Sequence, residues 1–217
     1  MKPIILSPYM ANVNPSVKQA QFRVMNKICT EIPFHQILTT KPHGETLDNL
    51  ARSCMAKGYD TVMFMDIDAI PLSNYAIMHT LHKAQRGHLI GNIQRSNHIQ
   101  NDQHLFVAPS FMAMQLNYWT WAGQPSFSET ARGDVAEEVT YAWEEKGWPM
   151  EMFMPKEFEQ APIEAPHWNL KDGMPVYGCG TTFALGMTDI SYHAFQIRTG
   201  NMVERFLSKC DKILAEN

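Results

Sequence analysis

A chain of 217 residues is long enough for one domain with a substantial buried core and short for two. Its 45% hydrophobic and 18% charged residues are those of an ordinary soluble globular protein and exclude a disordered or fibrous one. The net charge of −4, with no basic stripe, argues against nucleic acid as a partner, because phosphate recognition needs clustered Lys and Arg.

The first half alternates short apolar runs with amphipathic stretches. Ile4, Ile5 and Leu6 form the run expected of a strand covered on both faces. Asn14 caps a helix with Pro15 at its first position and Val17, Val24, Met25 and Ile28 on one side. Residues 34–38 make a second strand. Thr46 is placed as the cap of a helix whose Leu47, Leu50, Ala51 and Cys54 fall at i, i+3, i+4 and i+7, and Gly58 ends it. The run Thr61-Val62-Met63-Phe64-Met65 is too short for a helix and reads as a central parallel strand. It stops at Asp66-Ile67-Asp68. Ser73 caps a helix carrying Ile77, Met78 and Leu81 and ending at Gly87, and residues 88–93 form the next strand.

This alternation predicts an α/β fold: a Rossmann-like domain with a mainly parallel central sheet flanked by helices. Ligands of such sheets bind beyond the carboxyl ends of the strands, where Asp66 and Asp68 stand. The second half is less regular. Leu105–Gln115 reads as a strand and residues 117–128 as an aromatic loop or short helix. A helix over 134–146 is closed by Gly147. Strands follow at 150–154, 181–185 and 190–195, with a Pro-rich loop at 161–175 and a last helix over 201–214.

The four cysteines, Cys29, Cys54, Cys179 and Cys210, show no C-x-x-C spacing and read as thiols in a reducing compartment. Residues 1–6 do not resemble a signal peptide. No stretch approaches the ~20 apolar residues of a membrane span, so a cytoplasmic location is expected.

Two carboxylates one residue apart at the end of a buried strand form a costly like-charge pair. A divalent cation relieves that cost, and carboxylate oxygens suit Mn²⁺ or Mg²⁺. The bland alternative is one capping Asp and one solvated Asp. Gly133-Asp134-Val135-Ala136-Glu137 reads as D-x-x-E, a capping box in which Asp134 caps the helix and Glu137 reciprocates. His193 lies among apolar residues, as a hydrogen-bonded core histidine or as a ligand. Arg198 neutralises a diphosphate or pairs with a surface acid. His79 and His82 share a helix face without an evident third ligand. His167-Trp168-Asn169-Leu170, Trp119 and Trp121 are the residue types that stack on sugar faces and bind hydroxyls, and also those that pack cores.

The run from Gly58 to Asp68, with Asn49 in the helix before it, resembles the centre of GT-A-type glycosyltransferases. There a helix bearing an Asn leads through a Gly into a strand ending in D-x-D, and the acidic pair holds Mn²⁺ or Mg²⁺ on the diphosphate of a nucleotide sugar. The order of elements agrees over most of the chain. The resemblance implies one GT-A-like domain over 1–217, with a nucleotide-binding half to about residue 95 and an acceptor-binding half from about 96. It implies that Asp68 binds metal directly and that Asp66 binds ribose or metal, directly or through water. A late His, here His193, is a further ligand, and Ser7, Pro8 and Tyr9 stand where the nucleoside binds, with Tyr9 covering the base.

Inverting members place a catalytic Asp at or near a helix start in an E-D or D-D motif. Asp134 matches that place, with Gly133 instead of an acid before it and Glu137 and Glu138 as substitutes. Many members carry an acidic residue after the second strand that reads uracil. This chain has Thr39-Thr40-Lys41, which leaves the nucleobase open.

The expected function is metal-dependent sugar transfer from a nucleotide-sugar donor to an acceptor hydroxyl, by inversion, with the retaining course open. One rival is a nucleotidyltransferase, which needs a Gly-rich basic loop after the first strand. Residues 7–15 contain no Gly and no basic residue. The other rival is a non-catalytic nucleotide- or sugar-binding protein of the same fold.

Overall fold

The computed structural model describes residues 1–96, 104–160 and 178–216. In chain order the elements are β1 (Pro3–Met10), α1 (Pro15–Ile28), β2 (Phe34–Thr39), α2 (His43–Ala56), β3 (Thr61–Met65) and β4 (Ala69–Pro71). They continue as α3 (Asn74–Ala84), β5 (Leu89–Arg95), β6 (Leu105–Gln115), α4 (Leu116–Trp121) and α5 (Glu137–Lys146). The last are β7 (Met150–Gln160), β8 (Cys179–Leu185), β9 (Thr188–His193) and α6 (Met202–Ala215). Among the described residues, no helix is long and apolar enough to cross a membrane.

The strands join in one sheet of order β2-β1-β3-β6-β5-β7-β8-β9-β4. Alternate residues of a strand face opposite sides. Accordingly Met63 and Met65 of β3 pack with Ile77 and Leu81 of α3, while Val62 and Phe64 pack with Leu47 and Ala51 of α2. Val17 and Val24 of α1 join Met202 and Phe206 of α6 in a third cluster. Helices therefore cover both faces, as expected of strands buried on both sides.

The sheet is mixed, which corrects the expectation of a mainly parallel one. Among the described residues β1–β2, β1–β3 and β5–β7 pair in parallel, while the other five pairings are antiparallel. The long strand β6 lies between β3 and β5 and runs against both. Two-sided burial makes a strand apolar whichever way its neighbour runs, so the apolar runs carried no record of direction. The short strand β4 is an addition to the expected elements. It pairs antiparallel with β9 and sets Ala69 opposite His193.

Candidate metal centre and its cavity

Asp66 and Asp68 occupy the turn between the fully buried β3 and β4. The Asp66 N–H donates to the Ser110 carbonyl at 3.1 Å, and the Ala69 N–H donates back to the Asp66 carbonyl at 3.0 Å, closing the turn. On the far side the Ala194 N–H donates to the Asp68 carbonyl at 2.8 Å. This ladder carries His193 against the two aspartates. Its Nε2 lies 3.5 Å from Asp68 Oδ1 and 3.8 Å from Asp66 Oδ2. One donor atom from each of Asp66, Asp68 and His193 falls within 4.8 Å of the others.

Exposure of the three side chains is 23%, 13% and 5%. Burial pushes the Asp66 carboxyl above the usual carboxylate range, against the pull of His43 and His193, and the neighbouring Asp68 charge adds to the rise. For Asp68, burial also pushes upward, but the charge and hydrogen bond of His193 outweigh it and hold the carboxyl low. Burial lowers the His193 imidazole, and Asp68 and Asp66 together raise it above its ordinary value. Two carboxylates and an imidazole converging at the edge of a cavity are a donor set that fits a divalent cation.

The cavity beside them has a volume of about 500 Å³. Tyr9, Lys41, His43, Asp134, Arg198 and Gln94 line it. The His43 Nε2 stands 3.3 Å from Asp66 Oδ1, Arg198 donates to Asn12 Oδ1 at 3.1 Å, and Lys18 Nζ lies 4.7 Å from the centre of the Tyr9 ring. Lys41 forms a 2.7 Å pair with Glu45 at the start of α2.

Asp134 faces this cavity but is not the cap of α5. That helix begins at Glu137, after Ala136 in the left-handed conformation at φ 71°. Half of the expected capping box is present: the Asp134 N–H donates to Glu137 Oε2 at 2.7 Å. The Asp134 carboxylate accepts instead from the Val135 N–H at 2.7 Å and from Gln94 Nε2 at 3.4 Å. Its substitutes lie elsewhere. Glu137 is fully buried under hydrogen bonds from Ser96 and His104, and Glu138 is paired with Arg132 at 2.6 Å.

Several expected site residues are not at the cavity. Ser7 is fully buried on β1, and Asn49 is exposed on α2; neither lines the cavity. Trp119 is sealed in the core, where its Nε1 donates to the Pro125 carbonyl at 2.9 Å, so it presents no face to an acceptor. Trp121 is 62% exposed and lies outside the cavity, against Tyr118. His79 pairs with Glu151 at 2.5 Å. His167 and Trp168 fall outside the described residues. Sequence reasoning passed over His43 and Gln94, since neither sits in a recognisable spacing. It also passed over Gln21, whose signal was present: a lone amide in the stripe Val17, Ala20, Gln21, Val24, Met25.

No family model matches the chain, and no curated protein does. Solved structures similar to it include A197 from STIV, with 12% identity over 70% of this chain and 82% of that one, at a TM-score of 0.48. A protein provisionally described as a nucleotide-diphospho-sugar transferase, from Desulfovibrio desulfuricans G20, has 10% identity over 70% and 80%, at a TM-score of 0.47. A cytidylyltransferase from Leptospira borgpetersenii serovar Hardjo-bovis has 9% identity over 70% and 76%, at a TM-score of 0.43. At these values the likenesses leave the chemistry of the site to be read from its own geometry.

Proposed function

We propose that this protein is a metal-dependent glycosyltransferase that moves a sugar from a nucleotide-sugar donor to an acceptor hydroxyl. The observation that carries the reading is the convergence of Asp66, Asp68 and His193 at one cavity that also holds Arg198, Lys41 and Asp134. Asp66, Asp68 and His193 would hold Mn²⁺ or Mg²⁺, which would supply charge neutralisation for a diphosphate leaving group. Arg198 and Lys41 contribute positive charge to the same diphosphate from the walls. The ring of Tyr9 offers a flat face to the nucleobase. Asp134 accepts the proton of the acceptor hydroxyl as that oxygen bonds to the anomeric carbon. The bond from the sugar to the diphosphate breaks as the new one forms, its electron pair leaves with the diphosphate, and the configuration inverts.

The test is calorimetry of nucleoside diphosphates with Mn²⁺, followed by product analysis with nucleotide sugars. The wild type is expected to bind in a Mn²⁺-dependent way and to release a nucleoside diphosphate. Asp68→Ala is expected to abolish that binding while the chain stays folded, because Asp68 lines the cavity and belongs to none of the hydrophobic clusters. Equal Mn²⁺-dependent affinity in Asp68→Ala would remove the metal site. Release of pyrophosphate from a nucleoside triphosphate would assign nucleotidyl transfer instead.

A further inference from the structure

The turn that carries Asp66 and Asp68 is gripped from the α1 side by a buried amide. Gln21 is fully buried in an otherwise apolar stripe of α1. A polar side chain there is costly unless each of its polar atoms is matched. Its Nε2 donates to the Asp66 carbonyl at 2.7 Å and to the Ala69 carbonyl at 2.9 Å, the two carbonyls that bracket the turn. Its Oε1 accepts from Gln36 Nε2 at 2.9 Å, and that nitrogen also donates to the Lys18 carbonyl at 2.9 Å. Every amide proton of the pair is used. A flip of Gln21 would set its oxygen against two carbonyl oxygens, so the direction of the side chain is fixed. A leucine or methionine at this place would avoid the cost of burying an amide but would take this donor away from the Asp66 and Ala69 carbonyls. What the amide adds is a fixed position for the peptide units on either side of Ile67 and Asp68.

We infer that Gln21, oriented by Gln36, is a positioning residue for the metal centre. It holds the two ends of the Asp66–Ala69 turn so that both carboxylates converge on His193 against their mutual repulsion. The inference rests on the metal site proposed above. Groups that orient metal ligands from behind are worth about 10–100-fold in affinity when removed.

The experiment measures Mn²⁺ affinity by calorimetry and the visible absorption spectrum of the Co²⁺-loaded protein. It compares the wild type with Gln21→Met, Gln36→Met and Asn74→Ala. The last is the structural control: Asn74 Nδ2 donates to the Ile28 carbonyl at 2.8 Å, so its loss loosens the end of α1, about two helical turns beyond Gln21, without touching the Gln21 bonds. Gln21→Met is expected to bind Mn²⁺ about 10–100-fold more weakly and to change the Co²⁺ spectrum, which reports ligand geometry and not stability. Gln36→Met should shift both in the same direction by less, and Asn74→Ala should shift neither. If Gln21→Met fails to fold, Gln36→Met carries the test, since it leaves both turn carbonyls paired. Unchanged affinity and spectrum in the folded variants, or an equal loss in Asn74→Ala, overturns the inference while leaving the metal site standing. A wild type that binds neither Mn²⁺ nor Co²⁺ overturns the metal site itself.

Discussion

Asp134 is where the helix-start pattern and the three-dimensional position say different things. As a cap it would have been replaceable only by another good capping residue. The structure moves the cap to Ala136, and the Asp134 carboxylate accepts from the Val135 N–H at 2.7 Å and from Gln94 Nε2 at 3.4 Å. Asn keeps an acceptor for the Val135 N–H and has nearly the volume of Asp. Asp134→Asn is therefore expected to leave the protein folded, with a urea midpoint close to that of the wild type. If Asp134 is the base, transfer to a competent acceptor should fall by roughly 10²–10⁴ with donor affinity unchanged. Transfer must be measured and not donor hydrolysis, which water can sustain by another route. Near-normal transfer would favour the retaining course, because Glu137 and Glu138 are committed to His104 and Arg132 and do not line the cavity. The aspartate pair was legible from its place at the end of an apolar run. His193 was visible only as a late histidine, because β4, three residues long, is what brings it across.

At the scale of elements, α2 shows how a tertiary contact overrides local preference. Thr46 looked like the cap because it is the hydroxyl nearest the apolar stripe, yet the helix already begins at His43. Thr46 Oγ1 lies inside the first turn and donates back to the Pro42 carbonyl at 2.9 Å, a bond that competes with capping. Gly44 is a poor helix former, so the sequence gives little reason to extend the helix over it. The reason lies in another segment. A Cβ at Gly44 would stand 2.4 Å from Ser128 Cα, 2.5 Å from the Phe127 carbonyl oxygen and 2.7 Å from the Ser128 nitrogen. All three are backbone atoms, which do not swing aside as the tip of a side chain does. Gly44→Ala would gain about 1 kcal/mol of helix propensity. Forcing an extra methyl into packed structure costs typically 1–3 kcal/mol, and with backbone as the obstacle the upper part of that range applies. We expect net destabilisation of roughly 1–2 kcal/mol in urea unfolding, together with a shift of His43 away from Asp66. A variant as stable as the wild type would mean that residues 127–128 yield easily and that this contact does not set the start of α2.

For the whole molecule, the order of elements and the two-sided burial of β1 and β3 were legible, because apolar runs record what covers a strand. Strand direction and the insertion of β6 between β3 and β5 were not, because they depend on the path of the chain and leave no mark in the runs. Ion pairing between distant segments is equally silent in sequence, and one such cluster ties the chain just before β6 to α5. His104 Nδ1 lies 2.6 Å from Glu137 Oε1, its Nε2 lies 3.2 Å from Glu144, and its ring stacks on Tyr141 at 4.1 Å. Burial lowers the His104 imidazole, but the hydrogen bonds to Glu137 and Glu144 outweigh it and hold its pKa above the ordinary value. Burial raises Glu137, and the hydrogen bonds from His104, the Asp134 N–H and Ser96 bring it below the ordinary carboxylate range. The signs set a window. A raised histidine contributes stability that is full below its unfolded value near 6.5 and is lost as pH rises through the folded value. A lowered carboxylate contributes above its unfolded value near 4.3 and loses that contribution as pH falls through the folded value. The cluster therefore supports the fold most between about pH 4.5 and 6.5. In His104→Gln the histidine contribution is gone at every pH. The stability gap between wild type and variant should be widest near pH 6 and narrow towards pH 9, by about 1.4 kcal/mol for each unit by which His104 is raised. Titrations of Asp66, Asp68 and His193 occur in both proteins and cancel from the difference. Urea midpoints at half-unit steps from pH 5 to 9 measure the gap, and a gap that stays constant across that range would show that folding does not raise the His104 pKa.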